Sequence, residues 1–374
     1  MKIGLLTIHN ALNYGALFQA YATQEIFSRY GKVEIIDYKN RHIEKHYLPF
    51  SISRISLSWK APLQFAREIY LFKGKLYRSK KFREFWGERL SVSKKKFHPR
   101  GGVSGYDLLI CGSDQVWNPR ITNSCDSINE DYFFSGAPSD VRKISYASSF
   151  GSYRYSDKDV SRLKILLDSI GCLSVREQDG AQYIQGVLGR EVPVVLDPTL
   201  LLTKEEWVNK IGLRENDRKT DYILAYTVPR SSHLKEAVNH YSKLGYKVIL
   251  VDPALIPIGR AGEQRRDVGP EEFLNLILNA KLILTDSFHG VCFSINFKKN
   301  FFAFNSGDSS NRIRNILSLV GLESRLIEST DLLAGMELIS DEDYRNAHCT
   351  LDKLRDYSFG YIDRSMNGAT VSDA

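Results

Sequence analysis

Residues 270–304, PEEFLNLILNAKLILTDSFHGVCFSINFKKNFFAF, read as helix, strand, helix and strand in one unbroken run. Pro270 stands where a helix begins, a position that suits its fixed φ and does not need its missing N–H. Phe273, Leu274, Ile277 and Leu278 then recur at helical spacing. Leu282–Thr285 is a short apolar run with no helical period, as expected of a strand buried on both faces. Asp286-Ser287 interrupts it, Gly290–Phe297 reads as a short helix, and Phe301–Phe304 is a second buried strand. Strands alternating with helices at this spacing imply an α/β protein with parallel sheets.

The same alternation extends in both directions. Upstream, Asp221–Val228 and Tyr246–Val251 are strands around a helix at Ser232–Leu244. An earlier series begins with the strand Lys2–Thr7, the helix Ala16–Tyr30 closed by Gly31, and the strand Val33–Asp37. It continues with strands at Asp107–Cys111, Lys143–Ala147, Cys172–Val175 and Val192–Leu196, and helices at Asp157–Ile170 and Glu177–Val187. The polar stretch Thr203–Thr220 separates the two series. The expected architecture is two Rossmann-like domains, 1–205 and 220–330, facing across a cleft, with a helical tail over 331–374.

The 374 residues carry a formal net charge of +7, and that charge is concentrated. From Lys60 to Arg100 there are 13 lysines and arginines against three glutamates, so the remainder is slightly acidic. This basic helical insertion, 55–100, is placed within the first domain. It carries Phe65, Ile69, Phe72, Leu76, Phe82, Phe85 and Trp86 at near-helical spacing. The favoured reading is a solvated helix pair whose aromatics belong to the core. Peripheral contact with an anionic membrane through 60–100 is the alternative. No nucleic-acid-binding pattern accompanies the basic residues, so nucleic acid is not an expected partner.

Five dispersed cysteines argue against a disulfide framework and a zinc site, and buried free thiols are expected. No apolar run approaches the roughly 20 residues that span a bilayer. The apolar start of the chain reads as a strand of a cytoplasmic protein. GxGxxG after the first strand, a P-loop and HExxH are all missing. Two Asp-x-Asp triplets, at 157–159 and 341–343, open helices, where carboxylates suit the positive end of the dipole. No metal is expected.

Candidate chemistry gathers at strand ends, where open parallel sheets bind ligands. His289 follows the strand Leu282–Thr285 at a helix start, where backbone N–H groups and the Ser287 hydroxyl suit an anion. A histidine there can transfer a proton near neutral pH or merely cap the helix. His9–Gly15 (with Asn13, Tyr14 and Gly15), Gly112–Asn118 (with Ser113, Asp114 and Gln115), and Arg176-Glu177 are strand-end loops of the same kind. Each is also ordinary turn chemistry.

KIGLLTIHNALNYGALFQAYA (2–22), CGSDQVWNP (111–119), SYASSFG (145–151), SVREQDGAQYI (174–184) and VLDPTLLL (195–202), with 270–299, resemble the polysaccharide pyruvyl transferase family. The likeness runs from residue 2 to about residue 325. It implies a glycosyltransferase-B-like pair of Rossmann-like domains and transfer of the enolpyruvyl unit of phosphoenolpyruvate to a sugar, commonly as a cyclic ketal. Phosphoenolpyruvate would be a donor substrate, and no cofactor is expected. A lipid-linked or nucleotide-linked saccharide would be the acceptor, at the inner face of the membrane if lipid-linked.

By that resemblance Arg176 would bind the carboxylate or phosphate of the donor, His289 would be the acid/base residue, and Ser287 a phosphate contact. Asp114 and Glu177 are candidate bases. Further substrate contacts are expected from Asn13, Tyr14, Gly15, Ser113, Gln115, Gly290 and Asn305. Many members carry a basic residue or leucine just before the histidine, where this chain has Phe288. A second cation must then come from Arg312, Arg314 or Lys299, and Arg312 is the first choice because it opens a helix after residues 305–311. Two other readings compete: a glycosyltransferase using a nucleotide sugar, and a non-catalytic carbohydrate-binding protein.

Overall fold

The computed structural model describes residues 1–40, 42–44, 61–96, 103–123, 125–216, 221–305, 310–329 and 337–368. In chain order the first elements are β1 (Lys2–Leu6), α1 (Tyr14–Phe27), β2 (Lys32–Asp37), α2 (Ala61–Arg89), β3 (Val92–Lys96), β4 (Leu108–Cys111), β5 (Arg142–Ser145), α3 (Asp157–Asp168) and α4 (Gln178–Leu188). Then come α5 (Lys204–Ile211), β6 (Tyr222–Tyr226), α6 (Ser232–Lys243), β7 (Lys247–Val251), β8 (Glu263–Arg265) and α7 (Pro270–Asn279). The last are β9 (Leu282–Thr285), α8 (Phe288–Asn296), β10 (Phe301–Phe304), α9 (Ser310–Leu319), β11 (Leu326–Ile327) and α10 (Asp341–Met366).

The chain forms two compact α/β units. The first is assembled from Met1–Tyr47, Arg89–Leu202 and Leu351–Ala374, the second from Leu48–Glu88 and Thr203–Thr350. In the first unit the strands run in the order β3-β2-β1-β4-β5. Isolated parallel bridges from Ile144 to Cys172, Ser148 to Val175 and Val175 to Val194 carry the pairing further. The expected strands at Cys172–Val175 and Val192–Leu196 are therefore present only as bridges. The second unit has the order β11-β10-β9-β6-β7-β8. All pairings between these strands are parallel. Counted within each unit, both sheets follow the Rossmann order 3-2-1-4-5, continued by a sixth strand in the second.

The central strands are apolar because helices cover both faces: β4, β9 and β10 are buried along their whole length. Of the 14 residues of α1, Glu25 alone is not buried, which suits a helix apolar all round rather than on one stripe. It ends at Phe27 with Ser28 as its cap, before Gly31.

Several expectations are corrected. The polar stretch between the two series holds α5, opened by a reciprocal cap between Thr203 and Glu206, and residues 217–220 of it lie outside the described set. The basic segment is divided: up to Glu88, and so with nearly all of α2, it groups with the second unit rather than the first, whereas from Arg89 on, β3 included, it belongs to the first; its residues 55–60 and 97–100 are outside the described set. Its aromatics are largely not core. Leu71, Phe82 and Phe85 are buried, whereas Phe65, Ile69, Phe72 and Leu76 are exposed. The tail is divided: α10 begins in the second unit, and from Leu351 it belongs to the first, where the Tyr361 hydroxyl donates to the Ser145 carbonyl at 2.7 Å. Cys111, Cys172 and Cys292 are buried free thiols, but Cys125 and Cys349 are exposed. Both Asp-x-Asp triplets open helices, α3 and α10, as read.

Candidate active site

Each sheet reverses direction once, between β1 and β4 in the first unit and between β6 and β9 in the second. The crevice outside the strand ends at such a point is where open α/β sheets hold ligands.

In the first unit the two strand ends are fastened together. The Thr7 hydroxyl donates to the Ser113 carbonyl at 3.0 Å, and a Cβ on Gly112 would lie 2.8 Å from Thr7 Cβ. Gly112 is thus required by the close approach of the two ends. Gln19 reaches from α1 to donate to the Ile8 carbonyl at 3.1 Å. Asn13 caps α1 by accepting from the Ala16 N–H at 3.2 Å, with Tyr14 and Gly15 buried in the first turn behind it. His9 is buried with Nδ1 3.2 Å from the Thr7 carbonyl, and burial lowers its pKa.

The expectation for Arg176 changes most. Its guanidinium is buried, with Nε 3.0 Å from Glu177, Nη1 2.8 Å from Asp197 and Nη2 3.8 Å from Asp114. Burial by itself lowers the pKa of the group, but Glu177, Asp197 and Asp114 together raise it further than burial lowers it. All three guanidinium nitrogens face these carboxylates, so Arg176 stands here at the core of an acidic cluster.

Asp197, given no role from sequence, is the buried anchor of that cluster. It accepts from Ser113 Oγ at 3.2 Å and caps the helical turn at 198–201 through the Thr199 N–H at 3.0 Å. Ser113 is fully buried by this bond. Gln115 accepts from Asn118 Nδ2 at 2.7 Å. Asp114 is the most solvent-accessible of the three carboxylates, and its φ of 76° places it in the left-handed region. Non-glycine residues in that region cluster at functional sites. What Asp114 and Glu177 can do is accept hydrogen bonds from neutral hydroxyls.

In the second unit Asp286 spans the reversal point. Its carboxylate accepts from the Val228 N–H at 2.9 Å, the Ser231 N–H at 2.9 Å and the Thr227 hydroxyl at 2.8 Å. Burial raises its pKa against the pull of these donors. Ser231 in turn donates to the Asn305 carbonyl at 2.8 Å, which ties the ends of β6, β9 and β10 into one floor. The loop 227–231 was missed from sequence although it has the signals of the others: polar residues between a strand and a helix.

On this floor begins α8. It starts at Phe288, so His289 lies inside the first turn, and the cap is Ser287. Ser287 Oγ accepts from the Gly290 N–H at 3.4 Å, a weak bond that leaves the first-turn N–H groups able to receive a better acceptor. His289 is buried, with its ring edge-on to Phe288 at 5.1 Å. Arg312 places its guanidinium 5.5 Å from the centre of the Phe288 ring. Phe288, which departs from the family pattern, is thereby the platform for a cation and the ring neighbour of the histidine. The other choices fall elsewhere: Lys299 Nζ donates to the Leu278 carbonyl at 3.0 Å, and Arg314 pairs with Glu328 at 2.9 Å.

Gly290 is there for space. A Cβ would sit 2.4 Å from Thr285 Oγ1 and 3.1 Å from Thr285 Cβ. Alanine would gain up to about 1 kcal/mol of helix propensity, but overpacking costs about 1–3 kcal/mol. Gly290→Ala is therefore expected to lower the thermal midpoint and shift α8. An unchanged or raised midpoint would show that the helix packs less closely on β9.

Among the described residues no group of three His, Cys, Asp or Glu side chains is placed to hold a metal ion, and no helix is long and apolar enough to cross a membrane.

Residues 13–309 match the model of the polysaccharide pyruvyl transferase family. The chain belongs to that family. The Arg176 cluster, Asp286 and His289 lie within the matched span, whereas Thr7 and His9 precede it and Arg312 follows it. A polysaccharide acceptor and a transferase reaction come with the family. No curated protein matches the chain. Among solved structures, similar ones include UDP-GlcNAc 2-epimerase from Methanocaldococcus jannaschii in complex with UDP-GlcNAc and UDP, at 13% identity. It covers 96% of this chain and 100% of that one, with a TM-score of 0.44. The heptosyltransferase WaaC of E. coli, with ADP-2-deoxy-2-fluoro heptose, is 11% identical over 81% and 88% of the chains, TM-score 0.35. A functionally uncharacterized protein of Klebsiella pneumoniae is 15% identical over 68% and 88%, TM-score 0.38. Likeness at that level carries neither activity nor substrate to this pyruvyl transferase family member.

Proposed function

We propose that the protein transfers the enolpyruvyl unit of phosphoenolpyruvate to a sugar of a polysaccharide precursor, closing a cyclic pyruvate ketal and releasing phosphate. The observation that carries the reading is the grouping of His289, the first turn of α8 and Arg312 on Phe288, all within the second unit. Phosphoenolpyruvate is a small anion, and helix N–H groups with a guanidinium suit its phosphate. Ser287 and Gly290 would supply contacts at the helix start, and Asn305 the edge of the floor.

His289 donates a proton to the methylene carbon of the donor. The C2 carbon becomes electron-poor, and a sugar hydroxyl attacks it and gives up its proton. Phosphate leaves with the C2–O bonding pair, and a second hydroxyl of the sugar closes the ketal with loss of its own proton. One methyl group, two C–O bonds to the sugar and one inorganic phosphate result. Asp114 and Glu177 are the carboxylates of the first unit suited to hold hydroxyls, with Arg176 fixing them. The acceptor is a lipid-linked or nucleotide-linked saccharide, and the place of work is the cytoplasm.

Phosphate release from phosphoenolpyruvate, measured with a panel of lipid-linked and nucleotide-linked hexosides, tests the reading. Acceptor-dependent release supports it. Turnover of a nucleotide sugar with indifference to phosphoenolpyruvate would replace it by a glycosyltransferase.

A further inference from the structure

Between α2 and the ends of β7 and β8 lies a cavity of about 250 Å³, all of it within the second unit. Tyr70, Gly74 and Lys75 line it from the helix, and Pro253, Arg266 and Asp267 from the loops that leave the two strands. Every pairing in this sheet is parallel, so the cavity lies at the carboxyl ends of the strands, the edge that also carries His289 after β9. Two strand spacings separate β9 from β7 and three separate it from β8, so the strand ends are about 10–14 Å apart.

Two features shape the cavity at a cost to the helix. Gly74 stands in the interior of α2, where glycine is less favourable than alanine. Among the described residues a Cβ there would meet Arg266 Cβ alone, at an ordinary 3.9 Å, so crowding does not require glycine. Its missing side chain leaves the space open. Glu68, its side chain 5% exposed, accepts twice from Lys75 Nζ, at 2.8 and 3.0 Å. A buried pair of this kind adds little stability for its desolvation, but it fixes an ammonium at the cavity wall.

The wall carries donors and acceptors with little net charge. Glu68 neutralises Lys75, and the charges of Arg266 and Asp267 offset each other. Lys75 retains one N–H beyond the two given to Glu68. Arg266 uses Nε and Nη2 on the carbonyls of Ala254 and Leu255 and on Gln264 Oε1, at 2.8–3.1 Å, and keeps Nη1. Lys81 engages the Asp267 carbonyl at 3.0 Å, while among the described residues the Asp267 carboxylate accepts nothing. The Tyr70 ring, with the Arg266 guanidinium 5.8 Å from its centre, and Pro253 add apolar surface.

A ligand that donates and accepts hydrogen bonds, has no net charge and offers a C–H face satisfies such a wall. A sugar ring has all three properties. The volume is below the roughly 300–1,000 Å³ of sites for drug-sized ligands, so it suits one ring and not a nucleotide. We infer that the cavity is a saccharide subsite, holding one sugar unit of the polysaccharide acceptor while another unit of the same glycan lies at His289. The separation of the strand ends is one that a short oligosaccharide bridges. This subsite rests on the saccharide acceptor of the proposed reaction, and not on proton transfer at His289.

Saturation-transfer NMR of the full-length protein with glucose, galactose, mannose and N-acetylglucosamine, without phosphoenolpyruvate, tests it. Binding of at least one of the four is expected. Gly74→Leu fills the cavity and should weaken that binding at least tenfold, while circular dichroism and the thermal midpoint are kept, because leucine is the better helix residue. Asp267→Ala should weaken it roughly tenfold, as for the loss of one hydrogen bond to a charged group. Absence of binding by all four sugars overturns the inference, as does binding that survives Gly74→Leu. Inorganic phosphate that binds the wild type but not Gly74→Leu would make the cavity an anion site, which overturns it too. Sugar binding lost in Gly74→Leu, by a protein that releases no phosphate from phosphoenolpyruvate, would end the reading of the reaction and leave the subsite standing.

Discussion

Replacing Arg176 with methionine is expected to destabilise the first unit by about 3–5 kcal/mol, the usual cost of removing one partner from a buried ionic centre. The guanidinium lies within 2.8–3.8 Å of three carboxylates. Without it Asp197, whose side chain is 1% exposed, loses its contact with the guanidinium at 2.8 Å, and Asp114 and Glu177 lose the charge between them. Asp197 also holds Ser113 and the turn at 198–201, so the damage spreads along both sides of the strand ends. Denaturant unfolding of wild type and variant measures the loss. Asp197→Asn should cost stability as well, because it weakens the same pair from the other side. Arg176→Lys keeps the charge but loses the fork that reaches more than one carboxylate, and should fall between them. If Arg176 were instead the anion-binding residue of the donor site, the methionine variant would keep its unfolding midpoint and raise only the KM for phosphoenolpyruvate. That result would end the cluster reading.

The centre of each sheet was legible because strands covered on both faces have no choice of composition. LLIC, LILT and FFAF can be little else in an α/β chain, and the order of the strand-end loops followed. The edges were not legible. VSKKK in β3 and EQR in β8 carry the charge that edge strands tolerate, and neither has an apolar run to mark it. The unit to which α2 belongs depends on contacts such as Lys81 with Glu272, 191 residues apart, which no local pattern encodes. Arg176 shows the same limit at the site. An arginine at a strand mouth looks like an anion fork until Asp197, 21 residues on, is seen to fold back onto it. The placing of Arg312 beside Phe288 depends on little beyond position: it lies in the first turn of the helix after β10, and Phe288 lies at the start of the helix after the neighbouring β9.

His289→Asn is expected to lower kcat by about 10²–10⁴-fold, the span that a positioned acid/base group supplies. The substitution should leave the fold intact. His289 lies in the first turn of α8, where asparagine is tolerated, and the helix keeps its Ser287 cap, its Gly290 contact with Thr285 and the Asp286 floor beneath it. Arg312→Gln should divide the effect differently. It removes the cation from Phe288 without touching the proton donor, so the KM for phosphoenolpyruvate should rise roughly tenfold, as for the loss of one charged contact, while kcat falls less. Steady-state phosphate release by the two variants separates these roles. A carbohydrate-binding protein without catalysis would bind its saccharide equally well with either substitution and release no phosphate in any form. Equal loss of kcat in both variants, with KM unchanged, would mean that neither residue meets the anion and that the donor binds away from the start of α8.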